Sequence, residues 1–180
     1  LKKEFEKDGN VFESETDTEA LAHWIAKKYE AWNMEHGAEG GILVGAIKEA
    51  LRDVRGTYGI LVMHADHPNQ LIAARLGSPL AIGIGEGEYY IASDVTPMLP
   101  YTKQVTFLDD GEVASINPVR SQAPESPAGT FAYQTSNGVN GDGLKIVNLK
   151  DQEIKKDVTQ IDWDQQTAQK GGYEHFMLKE

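Results

Sequence analysis

The sequence predicts an α+β fold in which two helices come first and a series of antiparallel strands follows. Apolar residues recur at helical spacing between about residues 16 and 55. From about residue 57 the pattern changes to short apolar runs separated by Gly, Pro, Asn and Asp, which is typical of strands and turns. The 180 residues are enough for one domain with a complete core.

The two predicted helices have clear boundaries. Thr16 and Glu19 have the spacing of a capping box, so we expect the first helix over residues 18–32. Gly37 lies beyond its end and interrupts the pattern. A second apolar stripe follows and stops at Gly56. The two stripes consist of Leu21, Trp24, Ile25, Tyr29 and Trp32, and of Leu43, Ile47, Leu51 and Val54.

Strands account for most of the remaining chain. Several are apolar at most positions, which indicates that both of their faces are covered. Turn residues separate them, and Asp109-Asp110-Gly111-Glu112 predicts a hairpin between its flanking strands. Strands are expected at residues 57–65, 71–75, 80–84, 89–92, 105–108, 113–116 and 144–149, turns at 67–70, 77–79 and 85–88, and a short helical turn at 95–99.

Two segments differ from this pattern. Residues 117–143 are rich in Pro, Gly, Ser, Thr and Asn, and we interpret them as a loop insertion. Residues 161–180 contain Gly171 and Gly172 and are expected to end in a helix.

Composition excludes several functions. The formal net charge of −11 disfavours a nucleic-acid surface and an anionic membrane. No apolar run reaches the length of a membrane span. The absence of cysteine excludes disulfides and a thiol nucleophile within these residues, and it fits a cytoplasmic protein. We expect no cofactor.

Individual motifs allow a local and a functional interpretation. Asp17 suits the first turn of a helix for electrostatic reasons alone, but an ionised carboxylate there can also bind a ligand ammonium. His64 and His67 lack a third ligand, so no metal site is expected. The Gly83–Gly87 run is interpreted as a hairpin turn and not as a phosphate loop, because no helix follows it.

Three segments in order carry a resemblance to a known family. They are Ser14-Glu15-Thr16-Asp17-Thr18-Glu19, Ala73-Ala74-Arg75-Leu76-Gly77-Ser78-Pro79-Leu80 and Ile91-Ala92-Ser93-Asp94. The chain resembles the class II glutaminase domain of the glutamine–fructose-6-phosphate aminotransferase family. Leu76 departs from the family pattern, which has serine there. The last ten residues resemble the family's connection to its sugar-isomerase domain.

The resemblance implies a fold and one binding residue. The fold would be part of the four-layer αββα sandwich of N-terminal-nucleophile hydrolases. Asp17 would bind the α-amino group of glutamine. The family's nucleophilic cysteine would lie upstream, so we assign no catalytic residue here and expect the isolated chain to be inactive.

The resemblance also implies a larger protein. Residues 1–180 would form a partial glutaminase domain, and residues 161–180 would begin the connection to a sugar-isomerase domain. The intact enzyme would hydrolyse glutamine and transfer the ammonia to fructose 6-phosphate, making glucosamine 6-phosphate for amino-sugar biosynthesis. We expect the separated chain to form dimers or aggregates. The alternatives are another class II amidotransferase and a non-catalytic binding or scaffold domain of this fold.

Overall fold

The computed structural model describes residues 2–36, 41–117 and 143–162. The chain divides into two compact units, Leu1–Arg55 and Gly56–Glu180. The first is helical and the second contains two antiparallel sheets. The predicted α+β class, with helices before antiparallel strands, is therefore confirmed.

The helical unit contains α1 (Lys2–Lys7), α2 (Asp17–His36) and α3 (Ile42–Arg52). α2 extends beyond both ends of the predicted helix. α1 was not predicted from the sequence, because six residues dominated by charge show no apolar stripe. Its one large apolar side chain, Phe5, is nevertheless buried.

Close packing joins α2 to α3. A Cβ atom built on Gly45 of α3 would lie 2.4 Å from Cε2 of Trp32, so the absence of a side chain there allows the Trp32 ring to approach the helix. The indole N–H of Trp24 donates a hydrogen bond to the carbonyl of Ala50 over 3.2 Å. These contacts define how the two helices meet.

In the second unit, the described residues form two four-stranded sheets. The first has the order β1-β2-β6-β7 and the second the order β4-β3-β5-β8. All pairings between these strands are antiparallel. The strands are β1 (Tyr58–His64), β2 (His67–Leu76), β3 (Ala81–Ile84), β4 (Tyr89–Ala92), β5 (Gln104–Phe107), β6 (Glu112–Ile116), β7 (Leu144–Asn148) and β8 (Thr159–Gln160), with a 3₁₀ turn at Thr96–Met98.

An apolar core lies between the two sheets. Ala73, Ala114 and Ile146 form one cross-strand row on the first sheet, and they pack with Ile82 and Ile84 of the second. The opposite face of the second sheet is covered by the 3₁₀ turn and its neighbours, among them Met98. The second sheet is thus covered on both faces, as its apolar strands predicted.

The predicted hairpin at residues 109–112 is wrong. The turn itself forms, with the N–H of Glu112 donating to the carbonyl of Asp109 over 3.1 Å. However, β5 and β6 belong to different sheets, so this turn is a crossing between sheets. The same turn residues can connect two paired strands of one sheet or two strands of different sheets. Only the distant strands with which each one pairs distinguish these two cases. Residues 77–80 make the reciprocal crossing from β2 to β3.

Contacts of Arg75 connect these two crossings. Its guanidinium donates to the carbonyl of Leu108 over 2.8 Å and to the Asp110 carboxylate over 2.9 Å. The same carboxylate accepts the Gly77 N–H over 2.8 Å. Gly77 and Gly111 have φ angles of 73° and 79°, a conformation that glycine adopts without strain.

The predicted turn at residues 67–70 is also wrong, since it belongs to β2. The chain reverses instead at residues 65–66, and the register shifts between Met63 and His64, which pair with Leu71 and His67. Residues 68–70 therefore bulge out of the ladder. A bulge accommodates Pro68, which has no N–H to donate.

Other predicted elements are confirmed. The hairpin of β3 and β4 turns at residues 85–88, where the Gly85 N–H donates to the Glu88 carbonyl over 2.9 Å. The short helical turn and β7 also form. Most of the predicted insertion, residues 118–142, and most of the C-terminal segment, residues 163–180, lie outside the described residues.

Candidate functional site

Asp17, the binding residue implied by the resemblance, is the first residue of α2. Its side chain is exposed. Within the described residues, its carboxylate has no hydrogen bond or ion pair. The first turn of a helix stabilises a negative charge through the free N–H groups at that end. The structure therefore presents an ionisable oxygen pair to solvent at the start of α2.

A network of hydrogen bonds precedes Asp17. One carboxylate oxygen of Glu19 accepts the Glu13 N–H over 2.8 Å, and the other accepts the Ser14 N–H over 2.7 Å. The second oxygen also accepts the Ser14 hydroxyl. The Glu19 N–H donates to Oγ1 of Thr16 over 3.4 Å. The predicted capping box thus forms in one half: Thr16 accepts the Glu19 N–H, while the Glu19 carboxylate accepts from residues 13 and 14 and the Thr16 N–H donates to the Ser14 hydroxyl oxygen.

These bonds also change the acidity of Glu19. The Ser14 hydroxyl and the Glu13 and Ser14 N–H groups hold the pKa of the Glu19 carboxyl below its ordinary value, because they bond to the charged form. Glu19 is therefore ionised at neutral pH. Glu19 was predicted from the sequence as a capping residue, but the role of Ser14 was not. The feature that could have indicated it is a hydroxyl residue five positions before the glutamate.

A cation supports the same segment from α1. The Lys2 ammonium donates to the carbonyl of Ser14 over 3.0 Å and lies 3.2 Å from a carboxylate oxygen of Glu15. It also lies 5.1 Å from the centre of the Phe12 ring. The loop between α1 and α2 is therefore held at both its backbone and its side chains.

Aromatic packing also holds the loop between α1 and α2, through the ring of Phe12. The Phe12 and His23 rings lie 4.5 Å apart between centroids, and Phe5 lies 5.9 Å from His23. His23 is thus a packing residue of α2. Together the polar and aromatic contacts fix the segment that precedes the exposed Asp17 carboxylate. This carboxylate can accept hydrogen bonds from a cationic ligand group.

The other motifs have structural positions. His64 and His67 flank the β1–β2 turn with ring centroids 5.7 Å apart, and the Asp66 N–H donates to Nδ1 of His64. Asp94 lies just before the 3₁₀ turn and accepts the Thr96 N–H over 2.6 Å. Across the described ranges, no three His, Asp or Glu side chains cluster as metal ligands. No helix in those ranges combines the length and apolar character needed to cross a membrane.

Comparisons with known proteins give one consistent result. The whole chain is 38% identical to a glutamine–fructose-6-phosphate aminotransferase of Aquifex aeolicus and 38% identical to that of Thermus thermophilus. It is 39% identical, again over all 180 residues, to that of Chlorobaculum tepidum. The chain spans 24–25% of the length of these relatives. No protein-family model matches the chain.

The fold and the site define an α+β protein with two antiparallel sheets and a helical unit that exposes a carboxylate. The comparisons then specify the relationship. This chain is a homologue of one quarter-length segment of the glutamine–fructose-6-phosphate aminotransferases, which confirms the resemblance found in the sequence.

Proposed function

We propose that this chain is part of the glutaminase domain of an enzyme that hydrolyses glutamine and transfers the ammonia to fructose 6-phosphate. The observation that carries the proposal is the similarity over all 180 residues to aminotransferases that use this pair of substrates by name. The product would be glucosamine 6-phosphate. The enzyme would be a transferase that contains a class II glutamine amidotransferase.

Asp17 would bind the α-ammonium of glutamine. Its exposed carboxylate at the start of α2, without a partner among the described residues, supports this role. A charge-assisted hydrogen bond from an ammonium would satisfy it. The nucleophilic cysteine would come from outside these residues, since they contain none. By itself the chain should therefore release no glutamate from glutamine.

The domain would be a four-layer αββα sandwich, in which helical layers cover the two sheets. An uncovered edge supports the presence of a further partner. Leu61 and Met63 of β1 continue the inner apolar rows of the first sheet, yet they are 50% and 74% exposed. Another part of the same enzyme would cover them, and in the separated chain this edge would favour self-association.

The substitution Asp17→Asn in the full-length enzyme tests the assignment, because it retains the shape and removes the charge. Loss of one partner from a desolvated charge pair costs about 2–5 kcal/mol. We therefore expect kcat/KM for glutamine to fall roughly thirtyfold or more. Steady-state glutamate release measures this effect.

Glu30→Gln is the matched control, since Glu30 is exposed on the same helix and the change also removes one carboxylate. It should leave glutamine kinetics unchanged. Unaltered kinetics in Asp17→Asn would leave only the helix-start interpretation of Asp17. A scaffold function would instead be favoured if the full-length protein, with its own cysteine, had no glutaminase activity at all.

A further inference from the structure

We propose that Glu19 is a positioning residue, which holds residues 13–16 so that the Asp17 carboxylate meets the ammonium of the substrate. This inference rests on the proposed function of Asp17. It adds a role that the capping pattern alone does not contain, because a capping box serves only the helix.

The hydrogen bonds of Glu19 separate its role from that of Asp17. Both oxygens of Glu19 are occupied by donors of Glu13 and Ser14. Glu19 therefore has little capacity left for a ligand, although its side chain is only two residues from Asp17. Of these two carboxylates, Asp17 has the free acceptors and Glu19 has the internal contacts.

The bonds form a closed ring around the chain just before Asp17. Glu19 accepts from Ser14, the Thr16 N–H donates to the Ser14 hydroxyl oxygen over 3.3 Å, and the Glu19 N–H donates to Thr16. The two hydroxyl oxygens of Ser14 and Thr16 are also 2.8 Å apart. Because Asp17 directly follows Thr16, this ring determines the direction in which the Asp17 side chain leaves the backbone.

Only a carboxylate completes the ring. An amide at position 19 would place an N–H₂ group against one set of donors, since it has a single acceptor oxygen. The loop would then change conformation, and Asp17 would move relative to its ligand. A displacement of about 1 Å at a binding group can reduce rate by roughly a hundredfold.

The test measures Glu19→Gln and Asp17→Asn, singly and together, in the full-length enzyme. Each variant is assayed with glutamine and with 4-carbamoylbutanoate, an analogue that has the same amide but no α-amino group. We expect Glu19→Gln to lower kcat/KM for glutamine about ten- to a hundredfold, mainly through KM. The value for the analogue should not change, and the double variant should equal Asp17→Asn alone.

Two results would overturn the inference. One is unchanged glutamine kinetics in Glu19→Gln while Asp17→Asn is impaired. The other is an equal loss with both substrates, which would indicate a general structural role. If Asp17→Asn itself has no effect, the proposed function of Asp17 fails instead. Ser14→Ala removes only the hydroxyl of the ring, so it supplies the same test if Glu19→Gln does not fold.

Discussion

The N-terminal part of α2 and the two-sheet unit are stabilised in different ways. α2 has 20 residues, yet Ile25 is its only buried residue, and its N-terminal segment is held by hydrogen bonds and ring contacts near the surface. The two-sheet unit has fully buried apolar rows such as Ala73 and Ala114, and polar contacts tie its connecting loops.

The apolar contacts stabilise the sheets, whereas the polar contacts orient the residue that is proposed to bind a ligand. The exposed candidate residue, Asp17, lies where position depends on directional polar bonds. Apolar burial is non-directional, so it stabilises a sheet pair without determining the direction of one exposed carboxylate. Hydrogen bonds have strict geometry and can do so. Four predictions, from the largest effect to the smallest, test this distinction.

The largest effect is expected in the core between the sheets. Ile82 is fully buried, so Ile82→Ala should lower the free energy of unfolding by about 2–5 kcal/mol. Leu61 lies on the same inner side but is half exposed, so in the separated chain, at a concentration where it is monomeric, Leu61→Ala should cost about 1 kcal/mol or less. Urea denaturation of both variants measures the two losses of unfolding free energy. Equal losses would mean that the edge strand is buried in solution.

The second effect concerns the contact of α2 with α3. Alanine usually stabilises a helix relative to glycine, but the 2.4 Å approach of Trp32 to a Cβ at Gly45 forces a rearrangement. We expect Gly45→Ala to destabilise by about 1–3 kcal/mol. Adding Trp32→Leu should restore much of that loss. A stabilised single variant would contradict the close packing.

The third effect distinguishes two hydroxyl groups of the second unit. Thr106 is buried, and its hydroxyl has no partner among the described residues, so Thr106→Val should raise stability by about 1 kcal/mol. The Thr102 hydroxyl donates to the carbonyl of Ile84, and Thr102→Val should instead lower it. Thermal denaturation of the two variants should show a raised melting temperature for Thr106→Val and a lowered one for Thr102→Val.

The smallest effect is a dependence on pH at the sheet crossings. The N–H of Gly77 and then the Arg75 guanidinium hold the pKa of the Asp110 carboxyl below its ordinary value of 3.8. A lowered carboxyl pKa contributes stability above the ordinary value, and this contribution disappears as pH falls through the lowered pKa. Asp110→Asn should therefore make the melting temperature less dependent on pH below about pH 4. An unaltered acid profile would mean that Asp110 does not contribute.

Much of the fold followed from local pattern. Hydrophobic periodicity predicted α2 and α3, and the Gly-rich turn predicted the β3–β4 hairpin, because each depends on neighbouring residues alone. Local pattern did not predict α1, in which Phe5 is the one buried apolar residue among charged residues. It also predicted the wrong strand pairing around residues 109–112. Pairing depends on residues far apart in sequence, such as Arg75 and Asp110.

The candidate site shows the same division. The Ser-Glu-Thr-Asp-Thr-Glu run by itself determined that a helix begins near Asp17 and that Glu19 caps it, since both require only spacings of a few residues. Only the tertiary structure decided that Glu19 reaches back to Ser14 and that Lys2 of another helix contacts the loop. It also decided that Asp17 has no partner within the part of the chain that the structure describes. Side-chain contacts across a loop depend on how the chain returns on itself, and spacing alone carries no information about that path.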